Sequence, residues 1–271
     1  MRRPSPVGIK ESGKATLLES APRPTTYVVR PPRGLSKVAK QHLLESRPAR
    51  ASLCLFDLDD TLLPLDSDHA WGEYMLRLGW VDAVEFRRRN DAFYADYQAG
   101  RLDIHAYVEF TTRPLRNRSA NELAAAQAGF MADVILPRLH PAALALVQRH
   151  RELGDRIALV TATNEFVTAP IAAALRIDSL IAVRLERGPG ATITGRIEGT
   201  PSYREGKVTR VEEWLAILGL QWSEFERVSV YTDSVNDLAL LERATDPVAT
   251  NPSPALEAIA RTRGWRILKP Y

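Results

Sequence analysis

The sequence predicts an α/β fold in which a doubly wound parallel sheet carries an inserted helical cap. Three observations predict this architecture. A short apolar strand at residues 53–56 ends in carboxylates, residues 67–136 have a helical pattern throughout, and helices alternate with short buried strands from Pro141 onward. Such alternation is typical of a parallel sheet with helices on both faces.

The first strand combines apolar residues with a carboxylate at its end. Residues 53–56 are consecutively apolar, which suits a strand buried on both faces of a parallel sheet. Asp57 follows at the carboxyl end, where open α/β sheets place their ligands. Asp57 and Asp59 are two separate carboxylates at this strand end, so one can serve as nucleophile or metal ligand and the other as acid or base. The alternative is a strand end followed by an Asp-rich turn.

The stretch from residue 67 to residue 136 predicts a helical bundle. Aromatic and apolar side chains recur in it at helical spacing: Trp71, Tyr74, Met75, Leu78, Phe86, Phe93, Tyr94 and Tyr97. We interpret this stripe as bundle core rather than as a ligand-binding surface. The predicted domains are a core of residues 51–66 and 137–271 and a helical cap of residues 67–136.

The remaining elements complete the predicted sheet. Helices are expected at residues 141–153, 162–175, 205–218, 235–243 and 254–263, and strands at 157–161, 180–185, 228–231, 247–249 and 265–268. Residues 191–197 alternate after the Gly188-Pro189-Gly190 turn, which predicts a hairpin at the sheet edge.

Composition limits the classes of protein to consider. The chain has 271 residues, 45% hydrophobic and 25% charged, which is enough for one sizeable core with an accessory unit. Cys54, the single cysteine, lies in the apolar strand, so no intramolecular disulfide can form and a reducing, cytoplasmic location is expected. No apolar run approaches the roughly 20 residues of a membrane-spanning helix, so no membrane partner is expected.

Basic charge is concentrated in residues 1–50. This segment has 11 Lys or Arg and 3 Glu, a net charge of +8, so with +3 overall the other 221 residues carry −5. It is rich in proline and lacks periodicity, which predicts a disordered tail or a mis-called start. Alternatives are a transit peptide and a polybasic arm for nucleic acid or acidic surfaces, but the charges are scattered and nucleic acid is not an expected partner.

Three further positions carry polar residues suited to the site at Asp57. Thr161 ends a strand before a helix, where a hydroxyl and free N–H groups can bind an anion. Asp233 and Asp237 lie four residues apart across a strand-to-helix turn, so both can face one cation. Lys207 lies in the first turn of a helix, where nearby acidic groups would offset an unfavourable dipole. Taken singly, these positions have structural alternatives: helix capping for Thr163, Asn164, Asp233 and Ser234, and simple solvation for Lys207.

In this order along an α/β chain, the four sites resemble the motifs of the haloacid dehalogenase-like hydrolase superfamily, over about residues 52–271. The position of the cap between the first two motifs resembles that in subfamily IB, which contains phosphoserine phosphatase. The sequences of residues 251–254 and 263–265 are similar to those of its histidinol-phosphate phosphatase group. Two residues depart from the family pattern: Thr232, where Gly is common, and Asp60, where Gly, Ser or His is commoner. The motifs are Asp57 to Thr61, then Thr161, then Lys207, and finally Asp233 with Asn236 and Asp237.

The resemblance implies a Mg²⁺-dependent phosphomonoester hydrolase. Asp57 would be the nucleophile that forms an aspartyl phosphate, and Asp59 would protonate the leaving group and then activate water. Mg²⁺ would be held by Asp57, the backbone carbonyl of Asp59 and Asp233, with Asp237 orienting bound water. The phosphate would contact Leu58, Thr161, Ala162, Lys207 and Asn236.

The expected substrate is a small phosphorylated metabolite that bears an amine. Phosphoserine phosphatases that this chain resembles carry an acidic residue nine positions after the nucleophile, which makes Asp66, or Asp68, a candidate ammonium partner; a helix cap is the alternative. Phosphoserine and histidinol phosphate both carry that amine. Arg87, Arg88, Arg89 and Arg113 could bind a carboxylate, and nothing singles one out.

Three other functions were weighed. A true dehalogenase needs no metal, so Asp59, Asp233 and Asp237 together argue against it. A phosphate- or nucleic-acid-binding protein that works through the basic tail, and a phosphotransferase with an acceptor other than water, stay as alternatives. The sequence leaves the oligomeric state open.

Overall fold

The computed structural model describes residues 52–271. The predictions for residues 1–50 lie outside this range. The strands are β1 Ser52–Phe56, β2 Arg156–Asn164, β3 Leu180–Val183, β4 Leu185–Arg187, β5 Ile193–Ile197, β6 Arg227–Thr232, β7 Asp246–Thr250 and β8 Arg266–Leu268. Six of them form one parallel sheet in the order β3-β2-β1-β6-β7-β8, and β4 and β5 form a separate antiparallel pair.

The strand order reverses around β1. The chain passes from β1 to β2 on one side and later to β6 on the other, and Phe56 is in register with Leu159 and with Tyr231. Ligands of open α/β sheets bind outside the carboxyl ends of the strands where the order reverses. The predicted doubly wound parallel sheet is confirmed, and its topology directs attention to the loop after β1.

Helices cover both faces of the sheet and form the segment between β1 and β2. A π-helical turn, Met131–Ile135, follows α4 and leads back toward the core. The helices are α1 Ser67–Arg77, α2 Ala83–Gln98, α3 Ile104–Thr112, α4 Ala120–Phe130, α5 Pro141–Glu152, α6 Glu165–Ala174, α7 Glu205–Ile217, α8 Leu238–Leu241 and α9 Pro254–Arg263.

The helices between β1 and β2 begin at side chains suited to helix capping. Asp66, Asp82, Asp103 and Ser119 each accept a hydrogen bond from a backbone N–H in the first turn of α1, α2, α3 and α4 respectively. These bonds satisfy donors that a helix start leaves without an intrahelical partner. Capping therefore sets the boundaries of this helical segment.

The first part of the aromatic stripe packs in the interior of the helical segment, but Phe93, Tyr94 and Tyr97 line a cavity and Leu78 is exposed, so the prediction of bundle core was wrong for these four. The Trp71 ring lies edge-on to the rings of Phe130 and Trp80, and Phe86 stacks on Phe110 with centroids 4.6 Å apart. Aromatic pairs in such geometries add to the stability from burial alone. These side chains are bundle core.

Alternate residues of β1 serve two separate cores. Cys54 and Phe56 belong to the hydrophobic cluster that includes the helical segment, whereas Leu53 and Leu55 belong to the cluster on the other face. This follows from the two-residue period of a strand. The central strand is therefore apolar on both faces, and polar groups begin at its end.

The predicted hairpin exists, but its placement at the edge of the main sheet was wrong. Strands β4 and β5 pair only with each other, and the expected strand over residues 180–185 is broken at Arg184. The reason is that β5 packs against α3, so Ile193 is buried by a helix instead of by a neighbouring strand. Gly195 has a φ of 92°, and a Cβ there would collide with the Arg116 guanidinium.

The expected helix over residues 235–243 is shorter than predicted. A 3₁₀ turn, Val235–Asp237, precedes α8, which is only four residues long. The Ser234 hydroxyl accepts the N–H of Asn236 and caps the 3₁₀ turn. Local capping thus replaces the first turn of the expected helix.

Within residues 52–271, no single helix is long and apolar enough to cross a membrane. One pair, Ala120–Arg138 with Pro141–Glu152, reaches the required length and composition together but is bent by 90° between its parts.

Candidate active site

The predicted motif residues meet at the carboxyl edge of the sheet. Asp57 follows β1 and its N–H donates to the carbonyl of Tyr231 in β6, at 2.9 Å. Thr161 lies in β2, and Asp233 directly follows β6. Because parallel strands end at one edge, the loops after β1, β2 and β6 bring these side chains together.

Lys207 forms a buried ion cluster with two carboxylates. Its Nζ lies 2.7 Å from Oδ1 of Asp57 and 2.7 Å from Oδ2 of Asp237, and its side chain is 1% exposed. Burial opposes its charge, but Asp237 and Asp57 outweigh that effect and raise the pKa of Lys207 above its usual value. The solvated alternative for Lys207 is excluded.

Asp57 is buried at the centre of the site. Burial raises its pKa to about 7, against the opposing effect of Lys207, and Asp237 and Asp59 add to the rise. The Thr61 hydroxyl lies 3.2 Å from Oδ2 of Asp57, and it also accepts the N–H of Asp233 at 3.0 Å. A carboxylate with so few compensating charges favours a bound cation.

The Asp59 side chain is held by two hydrogen-bond donors. The N–H of Ser67, the first residue of α1, donates to Oδ1 at 2.8 Å, and the Thr163 hydroxyl donates to Oδ2 at 2.8 Å. Burial and then Asp66 raise the pKa of Asp59 to about 7. A carboxyl group with that proton affinity can both give and take a proton near neutral pH.

Thr163 is a site residue that sequence reasoning missed. It had only been considered as a helix cap, yet Asn164 is the residue that caps α6, accepting the N–H groups of Phe166 and Val167. Thr163 lies two residues after Thr161, which places both on one face of β2. This two-residue spacing from Thr161 is the sequence pattern that could have identified Thr163 as a site residue.

The loop after β6 is built around Thr232. Its hydroxyl donates to Oδ2 of Asp237 at 2.8 Å and accepts the N–H of Ser234 at 3.1 Å. Thr232, which stands where glycine is common in the family, therefore adds a hydrogen bond to the Asp237 carboxylate, which Lys207 also contacts.

The donors near Asp57 and Asp233 fit a hard divalent cation. Asp233 is half-buried, and burial together with Asp57 and Asp237 raises its pKa well above the usual value, against the opposing effect of Lys207. In residues 52–271 no three His, Cys, Asp or Glu side chains converge as a ready-made metal cage. Two carboxylates, the Asp59 backbone carbonyl and water still suit Mg²⁺, which keeps several waters and binds protein through one or two carboxylates.

Asn236 makes a contact that its motif did not predict. Its Nδ2 donates to the backbone carbonyl of Tyr97, near the end of α2, at 2.9 Å. Leu58 is fully buried, and its carbonyl accepts the N–H groups of Leu62 and Leu63. Any contact between Leu58 and a phosphate would thus involve its backbone N–H.

A partly open cavity lies between the motif loops and the helical segment. Its volume is about 30 Å³, enough for one or two water molecules. In the part of the chain that the structure describes, its lining has four carboxylates and no lysine, arginine or histidine. The lining residues are Asp57, Asp59, Asp66, Asp68, Phe93, Tyr94, Tyr97, Leu102, Ile104, Tyr107, Thr161, Ala162 and Thr163.

Asp66 and Asp68 belong to this cavity. Asp66 also caps α1 through the N–H of His69, at 2.8 Å, so both uses considered for it are compatible with its position. Asp68 is 4% exposed and accepts from Nδ2 of Asn164 at 3.4 Å. Burial raises the pKa of Asp68 well above its usual value, and Asp66 adds to that effect.

The arginines considered for carboxylate binding do not line the cavity. Arg87 pairs with Glu73, and Arg88 pairs with Glu85. The Arg89 guanidinium lies over the ring of Phe110, 4.6 Å from its centroid. Together with Arg113, these side chains lie away from the site.

A family model described as haloacid dehalogenase-like hydrolase matches residues 54–242. The chain belongs to this family. This haloacid dehalogenase-like hydrolase is 43% identical over 217 residues to "Histidinol-phosphatase" of Neisseria meningitidis serogroup C (strain 8013), covering 80% of this chain and 98% of the relative. The sequence predicts that the chain is a phosphatase of this family, and the comparisons confirm this enzyme class.

Solved structures support the fold of this haloacid dehalogenase-like hydrolase. A crystal structure of a protein with unknown function from Bordetella pertussis Tohama I is 49% identical, with a TM-score of 0.78, and the match covers 82% of this chain and all of that one. A substrate-bound phosphoserine phosphatase complex matches with a TM-score of 0.58 at 16% identity, covering 82% of this chain and 94% of that one. The second likeness concerns the fold alone.

Proposed function

We propose that this hydrolase is a Mg²⁺-dependent phosphomonoesterase, acting through an aspartyl phosphate on a small amine-bearing metabolite without a carboxylate. Histidinol phosphate is the proposed substrate. The observation that carries this proposal is the cavity, which joins Asp57 and Asp59 to a wall of further carboxylates and tyrosines that, among residues 52–271, contains no cationic side chain.

Asp57 supplies the nucleophile. One of its carboxylate oxygens attacks the phosphorus, and the bond from phosphorus to the alcohol oxygen breaks. Lys207 holds the other oxygen of Asp57 and keeps positive charge close to the phosphoryl group. When bound, Mg²⁺ would offset the charge of the phosphate dianion, held by Asp57, Asp233 and the carbonyl of Asp59.

Asp59 moves the protons. In its protonated form it gives a proton to the departing alcohol oxygen, and it then takes a proton from the water that cleaves the aspartyl phosphate, which returns Asp57 and releases phosphate. Its raised pKa makes both protonation states accessible near neutral pH. Thr163 and the N–H of Ser67 keep the carboxyl group aimed at the cavity.

Thr161 and Ala162 would hold a phosphate oxygen from the β2 side. Both line the cavity, and Thr161 is buried. The Thr161 hydroxyl accepts the N–H of Thr163, so its proton is free to point toward an anion. Asn236, in the 3₁₀ turn after β6, would add another polar contact to the phosphate, beside the hydrogen bond of its Nδ2 to Tyr97.

The lining selects the leaving group by charge. Asp66 and Asp68 face the side where the alcohol lies, with the rings of Tyr94, Tyr97 and Tyr107 beside them. Carboxylates and aromatic faces both attract ammonium or imidazolium groups. The carboxylate of phosphoserine would be buried there without a cationic partner, which is costly. The name of the Neisseria relative supports the same substrate.

A phosphate-release screen tests this proposal. The purified protein is assayed with histidinol phosphate, phosphoserine, sugar phosphates and nucleotides, with and without Mg²⁺. We expect Mg²⁺-dependent release, with kcat/KM for histidinol phosphate at least about 10-fold above that for phosphoserine, since one unpaired buried charge costs more than 1.4 kcal/mol. Preference for phosphoserine would overturn the substrate assignment.

Asp59→Asn is expected to separate the two chemical steps. With an alkyl phosphate, kcat should fall about 10²- to 10⁴-fold because no acid protonates the alkoxide. With p-nitrophenyl phosphate the leaving group needs no proton, so the first step should survive and the second should fail. A stopped-flow trace should then show a burst of about one equivalent of p-nitrophenolate, as expected when an intermediate accumulates. An unchanged steady state without a burst would contradict the role of Asp59.

Asp68→Asn is expected to affect substrate selection without affecting the chemistry. The change keeps the shape of the side chain and removes its charge, so kcat/KM for histidinol phosphate should fall about 10- to 100-fold, the usual effect of losing a charged hydrogen bond. Activity on p-nitrophenyl phosphate, which has no cation, should stay close to that of the wild type. Equal losses on both substrates would show that Asp68 has only a structural role.

A further inference from the structure

The turn before α7 places an arginine where glycine is normally found. The N–H of Gly206 donates to the carbonyl of Tyr203 at 2.9 Å, and Arg204 between them has φ 53° and ψ −125°. These are the angles of the first central residue of a type II′ turn, which glycine dominates because a Cβ is strained there. A strained residue of this kind persists when its side chain has a use.

The Arg204 side chain reaches the helical cap. Its Nη1 donates to the carbonyl of Gly100, two residues after the end of α2, at 2.9 Å. Its Nε lies 3.8 Å from the Glu205 carboxylate, which is too far for a hydrogen bond. The main contact of this guanidinium is therefore a backbone carbonyl on the far side of the cavity.

The same end of α2 receives other groups from the core. Asn236 donates to the carbonyl of Tyr97, and the rings of Tyr97 and Tyr203 are 6.1 Å apart. Gly100 fits closely there, since a Cβ on it would lie 3.2 Å from Oδ1 of Asn236. Tyr97 lines the cavity, so these contacts hold part of the cavity wall against the start of α7, which carries Lys207, and the 3₁₀ turn, which carries Asp237.

We propose that Arg204 is a positioning residue that holds the end of α2 closed over the active-site cavity. Tyr97 lines the cavity, so it can contact a bound substrate only while the end of α2 is closed, and the equilibrium between open and closed positions of this segment affects substrate affinity. Arg204 shifts this equilibrium toward the closed state, and substrate affinity falls with the closed fraction when that contact is lost. The kinetic part of this inference rests on the proposed phosphatase function.

Arg204→Gly separates the contact from the stability of the fold. Glycine relieves the strain at this φ, so the Tm should be unchanged or raised by up to about 4 °C. Hydrogen exchange at the amides of residues 97–101 should nevertheless become faster, because the clamp on that segment is gone. KM should rise about 3- to 10-fold, the usual effect of one charged hydrogen bond at a half-exposed position, while kcat changes less than about twofold.

Two further variants sharpen the test. Arg204→Lys keeps the strain and one donor, and should give exchange and KM values between those of wild type and Arg204→Gly. Arg101→Ala removes an adjacent arginine whose partner is Asp96, and should leave both values unchanged. Wild-type exchange and KM in Arg204→Gly would overturn the inference, as would equal effects in Arg101→Ala. If the wild type hydrolyses no phosphomonoester, the proposed function fails, while hydrogen exchange still decides the role of Arg204.

Discussion

Asp57→Asn is expected to lower kcat by at least about 10⁴-fold, because the amide cannot form the acyl phosphate through which the reaction would pass. The residual rate would come from binding alone. Asparagine has nearly the same shape, and Lys207 would still pair with Asp237, so the fold should persist. Acid quenching of wild type with a ³²P-labelled substrate should trap radioactive protein, and the variant should trap none.

The matched control for this experiment is Asp60→Asn. Asp60 is a carboxylate three residues further along the same loop, its φ is 53°, and asparagine tolerates that conformation. Its backbone carbonyl accepts from Asn251 and Tyr271, and these bonds do not depend on the side chain. Asp60→Asn should keep most of the activity. Radioactive protein trapped from Asp57→Asn would identify a different nucleophile.

Lys207→Met is expected to destabilise the protein by about 3–5 kcal/mol as well as to remove its activity. It is the cation between two buried carboxylates, each 2.7 Å away, and removal of one partner leaves an uncompensated charge in the interior. Urea unfolding at pH 7 measures the loss as a shift of the midpoint at constant slope. The activity loss follows because the phosphoryl group loses its fixed positive neighbour.

A double variant separates the two effects of Lys207. Lys207→Met with Asp237→Asn removes one of the stranded charges, so part of the stability should return while activity stays absent. Lys269→Met serves as the comparison, since Lys269 pairs with Glu257 at the surface and its loss should change stability by less than about 1 kcal/mol. A single variant as stable as Lys269→Met would contradict the buried ion cluster.

The sequence predicted those parts of the fold and site that depend on local pattern. Strand-end positions such as Asp57 and Asp233 followed from apolar runs that stop abruptly, because parallel strands share one edge. The reach of Lys207 to both carboxylates could not be derived from spacing, since it depends on how α7 packs against β2 and β3. The sequence indicated that acidic groups should lie near Lys207, but it did not identify them.

Residues that connect the helical segment between β1 and β2 to the loops at the sheet edge were the hardest to predict. Thr163 matched the capping pattern, and only the placement of the Asp59 side chain shows that it is a donor to that carboxyl group. Asn236 matched a phosphate-binding motif, and the contact of its amide with the Tyr97 carbonyl was not predicted. Arg204 violates the residue preference of its turn, so no local rule could have located its partner. Contacts of this kind depend on tertiary packing, which has no short sequence period.

The hydrogen bond from the Ser67 amide to Asp59 links chemistry to motion. Ser67 begins α1, and its N–H fixes the carboxyl group that would deliver the proton to the departing alcohol. A displacement of α1 would remove this hydrogen bond, so under the proposed mechanism Asp59 would deliver its proton only while α1 is in place. Substitutions that tilt α1 from a distance should slow proton delivery without touching any reacting atom.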